Sequence, residues 1–200
     1  MPDQDQTSRI EQQLKFLVEA DKLKSVLRAS PLCDGSRREN SGEHSWHLAL
    51  YAMILAEHSK KPINTNRVIK MLLIHDRVEI DAGDQPLHEN HDPKGQIETE
   101  RKAAERIYGL LPNDQAVEFR TLWDEFEAAE SDDAVFAKSI DRVQPVIANL
   151  ESDGGTWAQY EVKLEQLKRR VGEKVRRGAP AIWAVISGRI ESWFKMNPSK

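Results

Sequence analysis

The segment HDRVEIDAGD, residues 75–84, carries five side chains suited to acid–base or metal chemistry: His75, Asp76, Glu79, Asp81 and Asp84. It directly follows the apolar run VIKMLLI at residues 68–74. A charged group beside a buried helix face is costly unless it is paired or bound to a metal ion. Helical spacing places Glu79 one turn from both His75 and Asp76, so we expect these groups to share one neighbourhood.

Imidazole and carboxylate groups that meet at a helix end have two interpretations. A divalent cation attracts both groups and would offset the cost of burying them. Alternatively, His75 and Asp76 form a hydrogen-bonded pair with a structural role only, because perturbed ionisable groups are often structural. His44, in EHSWH, and Asp141, in SIDRV, are further ligand candidates. Spacing alone leaves the two interpretations equally weighted.

Three segments taken together favour the metal site: RRENSGEHSWHLAL, LLIHDRVEIDAGD and FAKSIDRV. In this order they closely resemble the HD-domain metal-dependent phosphohydrolases, within the branch that contains the 5′-deoxynucleotidases. The resemblance covers roughly residues 10–150 and implies four metal ligands: His44, His75, Asp76 and Asp141. It also implies that Glu79 and Asp84 are catalytic and that Arg28 faces the phosphate. Arg37, in the pattern R-x-E-N-x-x-E-H-S, is a weaker candidate for substrate binding.

The resemblance implies an enzyme that removes phosphate from nucleoside 5′-monophosphates with one divalent metal cation as cofactor. Such a ligand set leaves positions on the ion for water and a phosphate oxygen, and suits manganese, cobalt, iron, nickel, zinc or, less comfortably, magnesium. Glu79 would orient the water or accept its proton, Asp84 would meet the leaving oxygen or a sugar hydroxyl, and Arg28 would grip the phosphate. Two alternatives stay open: another phosphomonoesterase or nucleotide pyrophosphohydrolase on the same site, and a nucleotide-binding HD module without catalysis.

The residues that follow Arg28 bear on the choice of sugar. Ala29 and Ser30 are small, and a loosely fitting apolar wall discriminates weakly against one hydroxyl group. We therefore expect a weak preference between deoxy and ribo monophosphates. Little activity on triphosphates is expected, because the sequence has no glycine-rich triphosphate loop.

The composition limits the partners. Of the 200 residues, 39% are hydrophobic and 31% charged, as in ordinary globular proteins. The net charge of −4 provides no global positive field for a nucleic acid partner. The apolar runs are too short to cross a membrane, and the N-terminus lacks a signal-peptide pattern. The single cysteine, Cys33, suits a reducing compartment, so we expect a cytoplasmic protein.

Helical periodicity predicts a single all-α domain of residues 1–200. The resemblance implies that it is an HD domain, with its core at about 10–150 and a C-terminal helical extension at 151–200. The first helix carries an apolar stripe at Ile10, Leu14 and Leu17, while Met53 and Val117 are expected to face inward on later helices. Asn64 or Thr65 is the expected cap of the third helix, and Asp132 or Asp133 that of the helix bearing Asp141. The segments 28–43 and about 83–95 are predicted loops.

The last predicted helix, residues 179–196, is unusually apolar. Its large side chains exceed what a terminal helix needs to pack on its own domain, and relatives in the resembled branch are often dimeric. We therefore expect a homodimer in which this helix takes part, through Trp183, Ile186, Ile190, Trp193 and Phe194.

Overall fold

Helices dominate the part of the chain that the structure, a computed structural model, describes: residues 4–84 and 93–198. In chain order they are α1 (Gln4–Asp21), α2 (Ser41–Leu55), α3 (Thr65–Ile74), α4 (Glu79–Ala82), α5 (Pro93–Tyr108), α6 (Asn113–Ala128), α7 (Asp132–Glu151), α8 (Thr156–Gln159), α9 (Leu164–Leu167), α10 (Glu173–Gly178) and α11 (Pro180–Met196). Short 3₁₀ turns occupy Lys22–Ser25, Ala56–His58 and His75–Val78, and a π-helical turn occupies Lys168–Gly172. The predicted all-α class is confirmed, with one small sheet added.

That sheet spans residues 27–40, mostly within the segment 28–43, and the prediction of a loop throughout that segment is therefore wrong. Strands β1 (Leu27–Pro31) and β2 (Arg38–Asn40) pair antiparallel, with Leu27 opposite Asn40. Gly35, at φ +68°, supplies the left-handed backbone conformation of the turn. The turn residues were visible in the sequence, but strands this short show no alternating pattern. The hairpin matters for the site because β1 carries Arg28.

Helix α7 occupies the centre of the fold and packs against α2, α3, α6 and α10. Its N-cap is Ser131, whose hydroxyl accepts a hydrogen bond from the Ala134 N–H, so the expected caps Asp132 and Asp133 lie one and two residues too late. The helix continues through Pro145 to its end. Because α7 is surrounded by other helices, Asp141 on it is buried.

Helix α3 begins as expected, with the Asn64 side chain accepting a hydrogen bond from the Arg67 N–H. Val68, Met71 and Leu72 bury its inner face. The α-helix stops at Ile74, and the chain tightens into the 3₁₀ turn His75–Val78. This turn brings the chemically active residues to one end of the helix. Most of the predicted loop 83–95, with His88 and His91, lies outside the described residues.

Several apolar residues face away from the core, contrary to expectation. On α1 the buried residues are Phe16 and Ala20, while the stripe at Ile10, Leu14 and Leu17 is exposed. Met53 is 62% exposed and Val117 59% exposed. Phe16 is fixed inward by an edge-to-face contact with Phe119, at 5.8 Å between ring centroids. Periodicity therefore identified the helices but chose the wrong face in places.

Helix α11 packs into the core of its own chain. Trp183, Ile186, Ile190 and Trp193 are all buried, and the Trp193 ring lies 5.1 Å from that of Trp157. The argument that α11 offers surplus apolar surface for a dimer is therefore wrong, because these side chains complete the core. Within residues 4–84 and 93–198, no helix is both long and apolar enough to cross a membrane.

Candidate active site

Three separate elements bring the predicted ligands to one point. His44 lies in the first turn of α2, which a capping box fixes: Asn40 Oδ1 accepts from the Glu43 N–H at 2.9 Å, and the Glu43 carboxylate accepts from the Asn40 N–H at 3.2 Å. His75 lies at the C-terminal end of α3, and Asp141 lies midway along α7. All three residues are buried.

Ligand atoms of His44, His75 and Asp141 all lie within 4.8 Å of one another. Asp141 Oδ1 is 3.2 Å from His44 Nε2 and 3.6 Å from His75 Nε2. Donors bound at about 2.1 Å to one ion lie roughly 3–4 Å apart. The three side chains therefore have the spacing of a metal site before any rearrangement.

Asp76 lies at the edge of this group. Its Oδ1 is 2.8 Å from His75 Nε2, and its Oδ2 is 4.0 Å from His44 Nε2. The same Oδ2 accepts a hydrogen bond from Arg28 at 2.8 Å. Asp76 is thus positioned to face a cation with one oxygen and Arg28 with the other.

The proton positions on the histidines suit a cation. His75 Nδ1 is 2.9 Å from the Leu72 carbonyl oxygen, an acceptor, so Nδ1 carries the proton and Nε2 the lone pair in the neutral ring. His75 Nε2 is buried and makes no hydrogen bond, although Asp76 is close. Buried nitrogens are normally bonded. Histidines that bind a metal ion through one ring nitrogen usually donate a hydrogen bond from the other, as His75 does from Nδ1. The residues present therefore fit a metal ion.

Glu39 and Gln144 contact the Nδ1 side of the His44 ring, opposite the side that faces Asp141. The sequence analysis did not identify either residue as functional. Gln144 Nε2 donates to Glu39 Oε1 at 2.9 Å, which leaves Gln144 Oε1 to accept from His44 Nδ1 at 3.0 Å. Glu39 Oε2 lies 3.2 Å from the same Nδ1. This arrangement places the lone pair of His44 on Nε2, toward Asp141. The two supporting residues are distant in sequence, and no local pattern relates them.

The pKa values show a surplus of negative charge at this point. Burial by itself would lower the pKa of His75, but Asp76 and Asp141 outweigh it and raise this pKa to about 10. Burial opposes ionisation of Asp141, yet the charge of Arg142, followed by the contacts with the imidazoles of His44 and His75, holds its pKa well below the ordinary value. A centre that attracts a proton this strongly would also attract a divalent cation in its place.

Glu79, Asp84 and Arg28 form a second layer beside the ligands. The Ser41 hydroxyl donates to Glu79 Oε2 at 2.6 Å, and Arg28 lies 3.6 Å from both Glu79 and Asp84. Burial, reinforced by the negative charges of Asp76 and Asp84, raises the pKa of Glu79 above its ordinary value. Burial likewise raises the pKa of Asp84. Both carboxyl groups are therefore suited to exchanging protons.

These residues line a cavity of about 500 Å³, together with His75, Asp76 and Asp141. Seven buried side-chain polar atoms of the described residues have no hydrogen-bond partner, and four of them are at or beside this site: Arg28 Nε, Glu39 Oε2, His75 Nε2 and Arg142 Nε. Because buried polar atoms are normally satisfied, their concentration here indicates a place where a polar ligand completes the structure.

Arg37 does not join the site. It is exposed and makes two hydrogen bonds with the Glu43 carboxylate, at 2.8 and 2.7 Å. Among the described residues, those lining the cavity do not include it. The structure gives Arg37 a local role, linking the hairpin to the start of α2.

Comparisons with known proteins agree with this geometry. The sequence pattern of the HD domain family matches residues 20–183. Human 5′-deoxynucleotidase HDDC2 is 29% identical over 135 residues, which cover 67% of this chain and 65% of the human protein, just under two thirds of that relative's length. A 5′-deoxynucleotidase of Yersinia pestis is 28% identical over 161 residues, which cover 76% of this chain and 81% of that protein.

A solved structure is also similar. A protein of Magnetospirillum magnetotacticum, described as a predicted metal-dependent phosphohydrolase, superimposes with a TM-score of 0.89. The two are 45% identical, and the match covers 94% of each chain. Since the family pattern spans most of the sequence and its histidine and aspartate positions converge in the structure, this chain belongs to the HD domain family.

Proposed function

We propose that the protein is a metal-dependent phosphohydrolase that removes phosphate from nucleoside 5′-monophosphates. The observation that carries the proposal is the convergence of His44, His75 and Asp141 within 4.8 Å, beside a cavity that also exposes Arg28 and Glu79. The names of the relatives, 5′-deoxynucleotidases and a phosphohydrolase, support the substrate class and the reaction.

His44, His75 and Asp141, with Asp76 beside them, would hold one divalent cation. When bound, such an ion supplies Lewis acidity, which draws charge from phosphorus and lowers the pKa of water. The mixed imidazole and carboxylate donors suit manganese, cobalt, iron, nickel and zinc, and magnesium less well.

Glu79 would perform the proton transfer at the attacking water. The hydrogen bond from Ser41 orients its carboxylate, and a pKa raised by burial makes it a better base. As the bond between phosphorus and the 5′ oxygen breaks, that oxygen needs a proton, which Asp84 would supply. Arg28, held among the carboxylates of Asp76, Glu79 and Asp84, would balance charge on the phosphate.

The test is phosphate release from a panel of nucleoside monophosphates, using protein stripped with a chelator and reloaded with each divalent metal in turn. We expect activity that depends on the added metal and is lost in Asp141→Ala. Glu43→Gln serves as the control, because glutamine keeps the capping box while removing a carboxylate next to His44. Stripped protein that takes up no metal, or loaded protein that releases no phosphate, would refute the proposal.

We also propose that the protein is a homodimer, with the interface on α2 instead of α11. Trp46, Leu50, Met53 and Ile54 form one exposed apolar stripe along α2, at helical spacing. Met53→Glu should convert a dimer into a species of about the 22.9 kDa formula mass, measured by light scattering. The control is Val185→Glu, which places the same charge on an exposed site of α11. A wild-type monomer at micromolar concentration would count against the dimer.

The proposed compartment is the cytoplasm. Its support is the cysteine usage, since the single thiol, Cys33, is exposed and free. Fractionation of the native protein with compartment markers would test it.

A further inference from the structure

One part of the cavity wall carries clustered positive charge. Lys138 and Arg142 lie one turn apart on α7, on either side of Asp141, and Lys174 comes from α10, which packs on α7. All three line the same cavity as His75 and Glu79. We call Lys138, Arg142 and Lys174 the cationic wall.

The positive charges of the cationic wall are incompletely balanced by the described residues. Lys138 is paired, with Glu127 at 2.9 Å, and its ammonium lies over the Phe126 ring. Among the residues that the structure describes, Arg142 has one acidic partner, Asp141 at 3.8 Å, and its buried Nε makes no hydrogen bond. Lys174 forms no ion pair with any residue in 4–84 or 95–198.

The cationic groups also repel one another. The charge of Arg142, followed by burial and the charge of Lys138, lowers the pKa of Lys174. Like charges gathered on one wall raise the free energy of the unliganded protein. An anion placed among them would remove that cost.

Even with the proposed divalent cation and Arg28, the rest of the site does not supply enough positive charge for a phosphate, because several carboxyl groups line the same cavity. A phosphomonoester brings about two negative charges at neutral pH, into a cavity that is already lined by six carboxyl groups: Asp76, Glu79, Asp84, Glu100, Glu127 and Asp141. Arg28 is engaged by these carboxylates, at 2.8 Å from Asp76 and 3.6 Å from Glu79. A phosphate beside them therefore needs cations from another direction.

We propose that Arg142 and Lys174 bind the phosphate group of the substrate, with Lys138 reinforcing the field, and that this wall selects a dianionic phosphomonoester over a monoanionic phosphodiester. The identity of the anion as a substrate phosphomonoester rests on the proposed function, whereas the anion site itself rests on the cationic wall. Arginine suits this task because its planar donors match phosphate oxygens, and lysine adds a point charge.

The experiment is calorimetric titration of metal-loaded protein with inorganic orthophosphate. Arg142→Gln and Lys174→Gln should each weaken binding about tenfold, as expected for loss of one charged hydrogen bond. The matched control is Arg176→Gln, which removes the same charge from α10 at an exposed residue whose guanidinium lies over the Trp183 ring instead of lining the cavity. Its orthophosphate affinity should stay within about twofold of wild type.

Two further measurements keep the outcome unambiguous. Metal content is measured for every variant, because Arg142 is next to Asp141; should Arg142→Gln lose metal, Lys174→Gln decides the question. Dimethyl phosphate, a monoanion, should bind wild type more weakly than orthophosphate and lose less affinity in the variants. Unchanged orthophosphate affinity in Lys174→Gln, or an equal loss in Arg176→Gln, would overturn the inference.

Failure of the proposed function would look different. A wild-type protein that binds orthophosphate through Arg142 and Lys174 but hydrolyses no nucleotide would refute the reaction and leave the anion site in place. An active hydrolase whose phosphate affinity and KM are unchanged in both variants would refute the anion site alone.

Discussion

Glu39→Gln should weaken metal binding without weakening the fold. The substitution keeps the shape of the side chain but removes a negative charge 3.2 Å from His44 Nδ1. Removing a group that supports a ligating histidine typically costs 10- to 100-fold in metal affinity. Here Gln144 Oε1 still accepts from His44 at 3.0 Å, so the loss should be near the lower limit, about tenfold or ~1.4 kcal/mol.

The stability of the metal-free protein should be unchanged or increased by Glu39→Gln. Glu39 is buried, and its Oε2 has no hydrogen-bond partner, so a neutral amide there costs less to bury than a carboxylate. We expect the metal-free variant to unfold at the same temperature as wild type or higher. Reduced metal affinity with undiminished stability would separate a role in holding the ligand from a general role in packing.

The assay is competition for manganese or cobalt between the protein and a chelator of known affinity, with thermal unfolding followed in parallel. Glu43→Gln is the matched control, because it removes one carboxylate adjacent to His44 but keeps the capping box. An affinity within about twofold of wild type in Glu39→Gln, or an equal loss in Glu43→Gln, would refute the reasoning.

Three further outcomes are expected. Glu79→Gln should keep the metal and lose about 10²–10⁴-fold in kcat, since it removes the proton acceptor; normal turnover, or loss of metal, would contradict its role. The ratio of kcat/KM for matched deoxy and ribo monophosphates should stay below about a hundredfold, because the small Ala29 and Ser30 follow Arg28. The bidentate hydrogen bond from Arg9 lowers the pKa of Asp114 from 3.8 to about 2. The pair therefore contributes its full stabilisation at pH values above 3.8 and loses it as the pH falls through 2. The difference in unfolding temperature between wild type and Asp114→Asn should accordingly vanish in acid, and a carboxyl titration midpoint near 3.8 would exclude the pair.

The sequence predicted helices well where the signal was local. Asn64 caps α3 as expected, since a capping side chain acts on a backbone N–H three residues away. The sequence predicted burial less well, because α2 is apolar around much of its circumference. Leu48 and Ala52 became core, whereas Met53 faces outward, and only the packing of neighbouring helices decides between such faces.

In the candidate site, too, the sequence predicted what depends on a local pattern and missed what depends on tertiary packing. His44, His75 and Asp141 belong to a sequence pattern, and the structure brings them together. The roles of Glu39 and Gln144 could not be predicted from the sequence, because their hydrogen bond joins positions far apart in the chain. Arg37 was suggested by the same motif, but its nearest opposite charge, Glu43, was available locally and holds it on the surface.

The ligand candidates come from α2, the end of α3 and the middle of α7, which are widely separated along the chain. A cation bound by all three would act as a reversible cross-link that closes two long loops at once. Cross-links of this kind reduce the conformational entropy of the unfolded chain more as the loops lengthen, and a ligand held only by the native state stabilises it in proportion to its concentration. Metal supply would then set the stability of the folded protein as well as its chemistry.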